Sequence, residues 1–313
     1  MGTPLIGDMA IQSGSETKCR LCGFSRWIPR EAESRFLRMP PGTVIRTCTN
    51  CGLSVREPLP LGGATATTYD VGYYHEYQMV GRDAPPHLVA AFPLLEETTG
   101  PGRLLEIGCG LGAFLSRAQE RGWRVQGIEL SPWAAAQASL ACGAPILVAQ
   151  GEVLPFPAGA FDAVVSHHVF EHLYNPIQAL RESHRVCRPG GRLLLVLPNE
   201  LRQLFFRWAL RNHQGLPRGD GPFANLQRWL AYQTAPPVRE SGHLFFFHPQ
   251  VLRRAAEKTG WRVLRLTTFR TEQDTQSGYP MGGFVKAGLY AIEAWTGRGP
   301  EMSLLAEAVG VAS

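Results

Sequence analysis

Four cysteines near the amino terminus form two motifs suited to holding one metal ion. They are arranged as Cys19-x-x-Cys22-Gly and Cys48-x-x-Cys51-Gly. Two thiolates this close can bind the same metal, and the glycine that follows accepts the left-handed backbone that turns amide groups toward sulfur. A redox pair is the alternative, but neither motif opens a helix of a βαβ unit. We therefore predict a structural zinc ion with four cysteine ligands and no open coordination position.

A turn flanked by two acids forms the second candidate site. A buried strand-like run contains Glu106 and leads into Gly108-Cys109-Gly110-Leu111-Gly112, after which residues 113–121 are amphipathic. The next strand-like run ends in Glu129. A strand that ends in glycines and opens into a helix lets backbone amides approach a ligand closely. The pattern predicts a ligand-binding turn between two carboxylates.

Histidines form the third candidate site. His168, Glu171 and His172 follow a fourth strand-like run at residues 160–166, and their i, i+3, i+4 spacing predicts one face of a helical turn. His243 opens a second aromatic run before a predicted helix that starts at Pro249. A histidine can take a proton from a hydroxyl near neutral pH. His168, His172 and His243 are therefore candidate bases, and the alternative is that they fix a loop or pack in the core.

These motifs occur in an order that resembles the class I S-adenosylmethionine-dependent methyltransferases. The glycine turn, Glu129, the loop at 149–157 and the runs at 160–166 and 188–197 all follow that family's order. The resemblance, with the cysteine motifs, implies an α/β protein with a Rossmann-like, seven-stranded methyltransferase sheet, a helical cap insertion and a small N-terminal zinc ribbon. Zinc-ribbon proteins of this kind resemble bacterial sugar and secondary-metabolite methyltransferases.

The resemblance also implies roles for residues at the cofactor site. Glu106 would lie near the methionine end of S-adenosylmethionine, the glycine turn would pass beneath it, and Glu129 would bind both ribose hydroxyls. Gln150 stands where the family often has aspartate, so the amide of Gly151 is the expected adenine contact. The cofactor-binding residues implied are Glu106, Gly108, Cys109, Gly110, Gly112, Glu129, Leu130, Gln150, Gly151, Glu152 and His167.

Other functions fit parts of the pattern. A dinucleotide-binding dehydrogenase expects Gly-x-Gly-x-x-Gly, whose third glycine would stand at Ala113. A ribosomal-RNA methyltransferase family also joins a zinc ribbon to this fold, but there is no basic stripe here, and Ser166-His167-His168 replaces the motif typical of base amino methylation. A scaffold that keeps the fold without catalysis is the third alternative.

The chain divides into four predicted regions. They are a disordered lead-in at residues 1–18, a zinc ribbon at 19–57, a linker and aromatic lid segment at 58–99, and a methyltransferase domain at 100–313 with a cap at about 200–242. The cap is predicted to contain helices with Arg202, Arg207 and Arg211 interspersed. The sequence leaves three interpretations open, namely a solvated basic face, a lid whose arginines meet an anionic acceptor, and contact with a membrane surface. We expect the zinc to be remote from the reacting sulfonium.

Composition limits the partners. The chain has 313 residues, a formal net charge of +5 and seven cysteines that do not form a disulfide pattern. No apolar run is long enough for a membrane span, and the first residues lack a secretory signal. We expect a cytoplasmic enzyme that methylates a small molecule, most simply at a hydroxyl and otherwise at carbon, with nucleic acid disfavoured. The sequence leaves the acceptor and the oligomeric state open.

Overall fold

The computed structural model describes residues 18–60, 71–78, 83–97, 100–202, 242–270 and 283–310. Residues 1–17 of the predicted lead-in and most of the predicted cap lie outside these ranges. The strands are β1 (Trp27–Pro29), β2 (Val44–Cys48), β3 (Ser54–Glu57), β4 (Arg103–Ile107), β5 (Arg124–Glu129), β6 (Ile146–Val148), β7 (Phe161–His167), β8 (Cys187–Pro198), β9 (Phe245–Phe246), β10 (Trp261–Phe269) and β11 (Glu301–Ala308).

Helices connect and cover these strands. They are α1 (Glu31–Phe36), α2 (Val71–Gln78), α3 (Pro86–Val89), α4 (Phe92–Glu96), α5 (Ala113–Glu120), α6 (Pro132–Cys142), α7 (Pro176–Val186), α8 (Pro249–Lys258) and α9 (Gly283–Thr296). Short 3₁₀ turns span Phe170–His172 and Glu200–Arg202. None of the helices within the described ranges is long and apolar enough to cross a membrane.

The larger sheet has seven strands in the order β10-β11-β8-β7-β4-β5-β6, which confirms the predicted fold class. The strands from β8 to β6 in this order run parallel, whereas β11 is antiparallel to β8 and β10 is antiparallel to β11. The chain reverses its direction of winding between β4 and β7. Ligands in open α/β sheets bind outside the carboxyl ends of the strands at such a point.

Local sequence explains why the elements around this point start and stop where they do. Helix α6 begins with Pro132 after Ser131, whose hydroxyl accepts a hydrogen bond from the amide of Ala134, and it ends at left-handed Gly143. Asn175 caps α7 through the amide of Gln178. The central strands β4, β7 and β8 are largely apolar, and Leu104, Val164 and Leu195 on them are fully buried. These elements fix the strand ends on which the candidate site lies.

The smaller sheet combines strands that are far apart in sequence. Its order is β1-β2-β3-β9, with every pair antiparallel, so residues 245–246 complete a sheet that begins at residue 27. The four cysteines of the predicted ribbon lie in the same apolar cluster as Leu244, Phe245 and Val251. The cysteine-rich segment therefore packs directly on the carboxyl-terminal part of the chain.

Candidate active site

The four cysteines come together as the sequence predicts. The Sγ atoms of Cys19 and Cys51 are 3.5 Å apart, those of Cys22 and Cys48 are 3.6 Å apart, and all four lie within 4.8 Å of one another. Tetrahedral zinc with Zn–S bonds of about 2.3 Å requires sulfur–sulfur distances of about 3.8 Å. A hydrogen bond from Cys51 lowers the pKa of the Cys19 thiol to about 5, which favours the thiolate. The donor set and its spacing fit zinc.

Loss of one of these thiolates should remove the metal. We expect the wild-type protein to hold about one zinc ion per chain and the Cys48→Ser variant to hold almost none, because three ligands and a hydroxyl bind zinc far more weakly than four thiolates. Elemental analysis measures this content, and limited proteolysis should show faster cleavage within residues 19–57. Cys187→Ser is the matched control, since that buried cysteine lies outside the cluster. Full zinc retention in Cys48→Ser would place the metal elsewhere.

The glycine turn after β4 has the geometry of a binding loop. Gly108, Gly110 and Gly112 all have left-handed φ angles, of 71°, 52° and 81°. The amide of Gly110 donates to Oε2 of Glu129 at 3.0 Å, and the amide of Ser131 donates to Oε1 at 2.9 Å. These bonds orient the Glu129 carboxylate beside the turn and leave lone pairs on both oxygens for further donors.

Glu106 is the acid in the strand that leads into the turn. Its carboxylate is buried, and Oε2 has no hydrogen-bond partner among the described residues. Burial, together with the charge of Glu129, raises the pKa of Glu106 well above its usual range. An ammonium group beside this oxygen would reverse that cost, as the amino end of S-adenosylmethionine would.

An aromatic side chain from α2 covers the turn. Tyr74 is buried, and its phenol lies near enough to Glu129 for the carboxylate to help raise its pKa. Its ring lies 5.9 Å from that of Trp133, and its Cε1 is the nearest atom, at 3.9 Å, to a Cβ built on Gly110. Burial raises the pKa of the Tyr74 phenol, so it remains a hydrogen-bond donor. The predicted lid segment thus supplies one side chain that contacts the turn and the second acid.

The predicted adenine side of the site is formed by the loop after β6. Gly151 is buried and packs close to Ile107 and Leu173, whereas Gln150 is exposed. Oε1 of Glu152 accepts a hydrogen bond from the amide of Asn175 at 3.1 Å. Leu130 is half-buried after β5. Glu152 therefore has a structural partner in the loop that precedes α7.

A side chain at Gly110 should block the cofactor site. A Cβ at this position meets no atom closer than 3.9 Å, so a larger side chain would occupy open space above the turn. We expect Gly110→Val to abolish detectable S-adenosylmethionine binding by calorimetry, because the branched group takes space that the cofactor needs. Gly143→Val is the matched control, since Gly143 has a similar φ of 61° with nothing near its Cβ. Unchanged binding in Gly110→Val would place the cofactor elsewhere.

The histidine cluster forms at the carboxyl end of β7. His168 Nδ1 contacts Glu171 Oε1 at 3.2 Å, and His172 Nε2 lies 4.0 Å from the same oxygen. The predicted single helical turn from His168 to His172 is wrong. His168 has a left-handed φ of 53°, and only Phe170–His172 forms a 3₁₀ turn. The left-handed residue turns the chain sharply, and the side chains meet without a regular helix.

Residues distant in sequence complete the cluster. His243 lies against His172, with ring centroids 4.7 Å apart, and its Nδ1 contacts Glu200 Oε2 at 2.8 Å. Glu301 Oε2 lies 3.4 Å from His168 Nε2. The structure thus brings the three predicted histidines together, and it adds two carboxylates that follow β8 and open β11.

Electrostatics separate the three histidines. Burial lowers the pKa of His172. Burial also disfavours the charged forms of His168 and His243. The carboxylate of Glu171 outweighs burial for His168, the carboxylate of Glu200 outweighs it for His243, and the pKa of each histidine rises to about 9. At neutral pH, His168 and His243 therefore carry charge within ion pairs, whereas His172 is neutral and able to accept a proton.

Glu171, His172 and His243 also satisfy a metal-ligand spacing, with ligand atoms within 4.8 Å of one another. Ion pairing explains the arrangement without a metal, because Glu171 pairs with His168 and Glu200 pairs with His243.

His167 has a partner that sequence reasoning missed. Its Nε2 lies 3.2 Å from Nε2 of His87 on α3, and burial lowers the pKa of His167 to about 2. His167 is therefore neutral at the end of β7, and its ring faces that of His87, with the ring centroids 5.0 Å apart. Tyr74, Ser131, Glu200 and Glu301 also escaped prediction as individual site residues. Two of them carried a signal, Ser131 as a helix cap before Pro132 and Tyr74 as part of the predicted aromatic lid segment.

The chain belongs to a methyltransferase domain family, which matches residues 80–266 and thus more than half of its length. A curated relative, an uncharacterized methyltransferase of Mycobacterium sp. (strain JLS), is 38% identical over 105 residues, which are 32% of this chain and 40% of the relative. An ajmaline N-methyltransferase of Rauvolfia serpentina is 33% identical over 105 residues, covering 31% and 36% of the two chains.

A ubiquinone biosynthesis O-methyltransferase of Pseudomonas aeruginosa (strain UCBPP-PA14) is 29% identical over 136 residues, 40% of this chain and 58% of that one. The chain thus spans less than two thirds of the length of these curated relatives. A solved structure from Thermotoga maritima, described as an S-adenosylmethionine-dependent methyltransferase and possible histamine N-methyltransferase, has a TM-score of 0.50 at 18% identity, covering 78% of this chain and 98% of that one. That similarity supports the fold.

Proposed function

We propose that this protein transfers a methyl group from S-adenosylmethionine to a hydroxyl of a small molecule such as a sugar or secondary metabolite. The observation that carries the proposal is a histidine with a lowered pKa, His172, that follows β7, the strand paired with β4, which leads into the cofactor-type glycine turn. A hydroxyl must lose its proton on methylation, and a neutral histidine at the strand ends can accept it. Carbon is the second acceptor atom that this arrangement suits.

The cofactor would be held by residues on both sides of the glycine turn. Glu129 would accept hydrogen bonds from the ribose hydroxyls, Glu106 would face the amino end, and the Gly151 amide would contact adenine. The bound sulfonium supplies the methyl group and the driving force of the reaction. The remaining work for the protein is to exclude water, which Tyr74 favours by covering the turn, and to hold the acceptor in line.

Proton transfer would follow a short route. His172 takes the proton from the acceptor hydroxyl as the new bond forms. The nearby carboxylate of Glu171 stabilises the resulting imidazolium. Burial opposes ionisation of Glu171, but its contacts with His168 and the other histidines outweigh burial and lower its pKa to about 2. Glu171 therefore stays ionised at neutral pH. Hydrogen bonding between His172 Nδ1 and the Gly242 carbonyl, 3.4 Å apart, orients the ring.

Zinc in the four-cysteine cluster would be structural, and the protein is proposed to act in the cytoplasm. The anionic acceptor suggested by the cap arginines depends on Arg202, Arg207 and Arg211, of which only Arg202 lies within the described residues. Contact with a membrane surface depends on the same segment.

The test is a turnover assay with S-adenosylmethionine labelled on the methyl group and a panel of hydroxylated acceptors, comprising sugars, nucleotide sugars, phenols and polyketides, with ribosomal RNA as a separate arm. We expect label in a small-molecule ether. Transfer to RNA alone would replace the proposal with base methylation. Tight cofactor binding without transfer to any acceptor would favour a scaffold.

A further inference from the structure

A two-residue strand joins the cysteine-rich sheet to the histidine cluster. Val55 of β3 pairs with Phe245 of β9, and beyond this pair the amide of Arg56 donates to the carbonyl of Leu244 at 2.8 Å. The amide of Leu244 donates in turn to the carbonyl of Glu171, also at 2.8 Å. Leu244 therefore bridges β3 and the turn that carries His172, and it is the immediate neighbour of His243.

Apolar packing reinforces this bridge. Leu244, Phe245, Phe246 and Phe247 are each buried, with 2–4% of their surface exposed. Three of them share an apolar cluster with the four cysteines, and Phe246 packs in a second cluster with Ile45 of β2. Such side chains lose their contacts together if the small sheet opens.

Helix α8, which follows β9, is also attached to the cysteine motifs. Lys258 Nζ donates to the carbonyl of Leu21 at 3.2 Å. His248 Nε2 lies only 3.0 Å from the position of a Cβ on Gly52, the glycine of the second motif. The segment that carries His243 is therefore held by the cysteine-rich sheet at its strand and at the following helix.

We propose that the zinc-bound ribbon is a positioning element for methyl transfer, and that the backbone of Arg56 is the contact through which it holds His243 and His172 in place. This inference rests on the proposed function. A segment as short as residues 19–57 has too small a core to keep β3 ordered without its metal. A strand of two residues such as β9 depends on its neighbour for register, and displacements near 1 Å at a reacting group cost about 10²-fold in rate.

The test is to remove one backbone donor while the metal stays bound. Arg56→Pro deletes the amide that bonds Leu244, and it spares the β2 ladder because an amide in a strand points to only one neighbour. Arg56→Ala is the matched control, since it keeps the amide and shortens only the side chain. We expect Arg56→Pro to retain one zinc per chain and wild-type cofactor affinity, with kcat lowered about 10–10²-fold.

A second measurement does not depend on turnover. Amide hydrogen exchange at residues 243–247 should accelerate in Arg56→Pro and in Cys48→Ser, and should stay at the wild-type level in Arg56→Ala. Unchanged exchange and rate in a zinc-loaded Arg56→Pro would overturn the positioning role. If wild type methylates no acceptor but exchange responds as expected, the proposed function fails and the structural coupling stands. If Arg56→Pro does not fold, the exchange response of Cys48→Ser decides the question.

Discussion

Replacing Glu129 with alanine should weaken S-adenosylmethionine binding by about 10²–10⁴-fold in Kd. Two charge-assisted hydrogen bonds to ribose hydroxyls contribute about 1.5–3 kcal/mol each, and their loss together corresponds to that range. The carboxylate also anchors the Gly110 and Ser131 amides, so the turn loses its orientation at the same time. Isothermal titration calorimetry measures the change directly.

The matched control for this experiment is Glu120→Ala. That glutamate forms an exposed ion pair with Arg117 on α5 and should leave cofactor affinity unchanged. Circular dichroism must show that Glu129→Ala remains folded. Unaltered affinity in a folded Glu129→Ala protein would remove the ribose assignment, while the glycine turn would remain a candidate through the Gly110→Val result.

Replacing His172 with alanine should lower kcat by about 10²–10⁴-fold and leave the Kd for S-adenosylmethionine within about twofold, because a general base acts only on the acceptor's proton. His168→Ala and His243→Ala should behave differently. His168→Ala removes a cation from the buried Glu171 and His243→Ala removes one from the half-buried Glu200, so stability and rate should fall together. His184→Ala, which removes a histidine that bonds the Val309 carbonyl instead, is the control.

The comparison of rate with binding decides among the histidines. If His172→Ala loses cofactor affinity in proportion to rate, its role is structural. If none of the three variants separates rate from binding, general-base catalysis by this cluster is wrong, and in-line positioning of the acceptor becomes the better account of the rate.

The pH dependence provides a second test of the same assignment. A base must be neutral, so kcat should be full above the pKa of His172 and fall as pH drops through it. Because burial lowers that pKa, the acidic limb should lie below the ordinary histidine value of about 6.5. The raised pKa values of His168 and His243, about 9, predict ion-pair stabilisation that is fully present below pH about 6.5 and lost as pH rises through 9.

Sequence alone was enough for the features that depend on local patterns. The glycine turn after β4 and the acid at the end of β5 are local patterns, and parallel strands bring their ends to one edge of the sheet. The two Cys-x-x-Cys motifs identify the four cysteines that lie together in the structure. Helix α8 also matches the sequence expectation, because Pro249 marks its start.

Contacts between distant segments could not be read in the same way. Nothing in the residues near Glu200 or Glu301 indicates that they face His243 and His168, since the pairing of β8 with β11 brings them there. The left-handed backbone of His168 is equally hidden, because non-glycine residues adopt it only when tertiary contacts compensate. The domain division and the roles assigned to site residues remain predictions.

The pairing of β3 with β9 has a consequence for how the chain is made. The four cysteines are synthesised before Phe245, so the proposed zinc would be able to bind while the small sheet still lacks its fourth strand. Phe245 emerges only after the first five parallel strands of the large sheet have been synthesised. The final sheet therefore closes late in translation, through a contact between segments that are far apart in sequence, and such contacts slow folding. A nascent chain that stops before residue 245 would carry the metal but expose β3 as an open edge, where chaperones or aggregation partners bind.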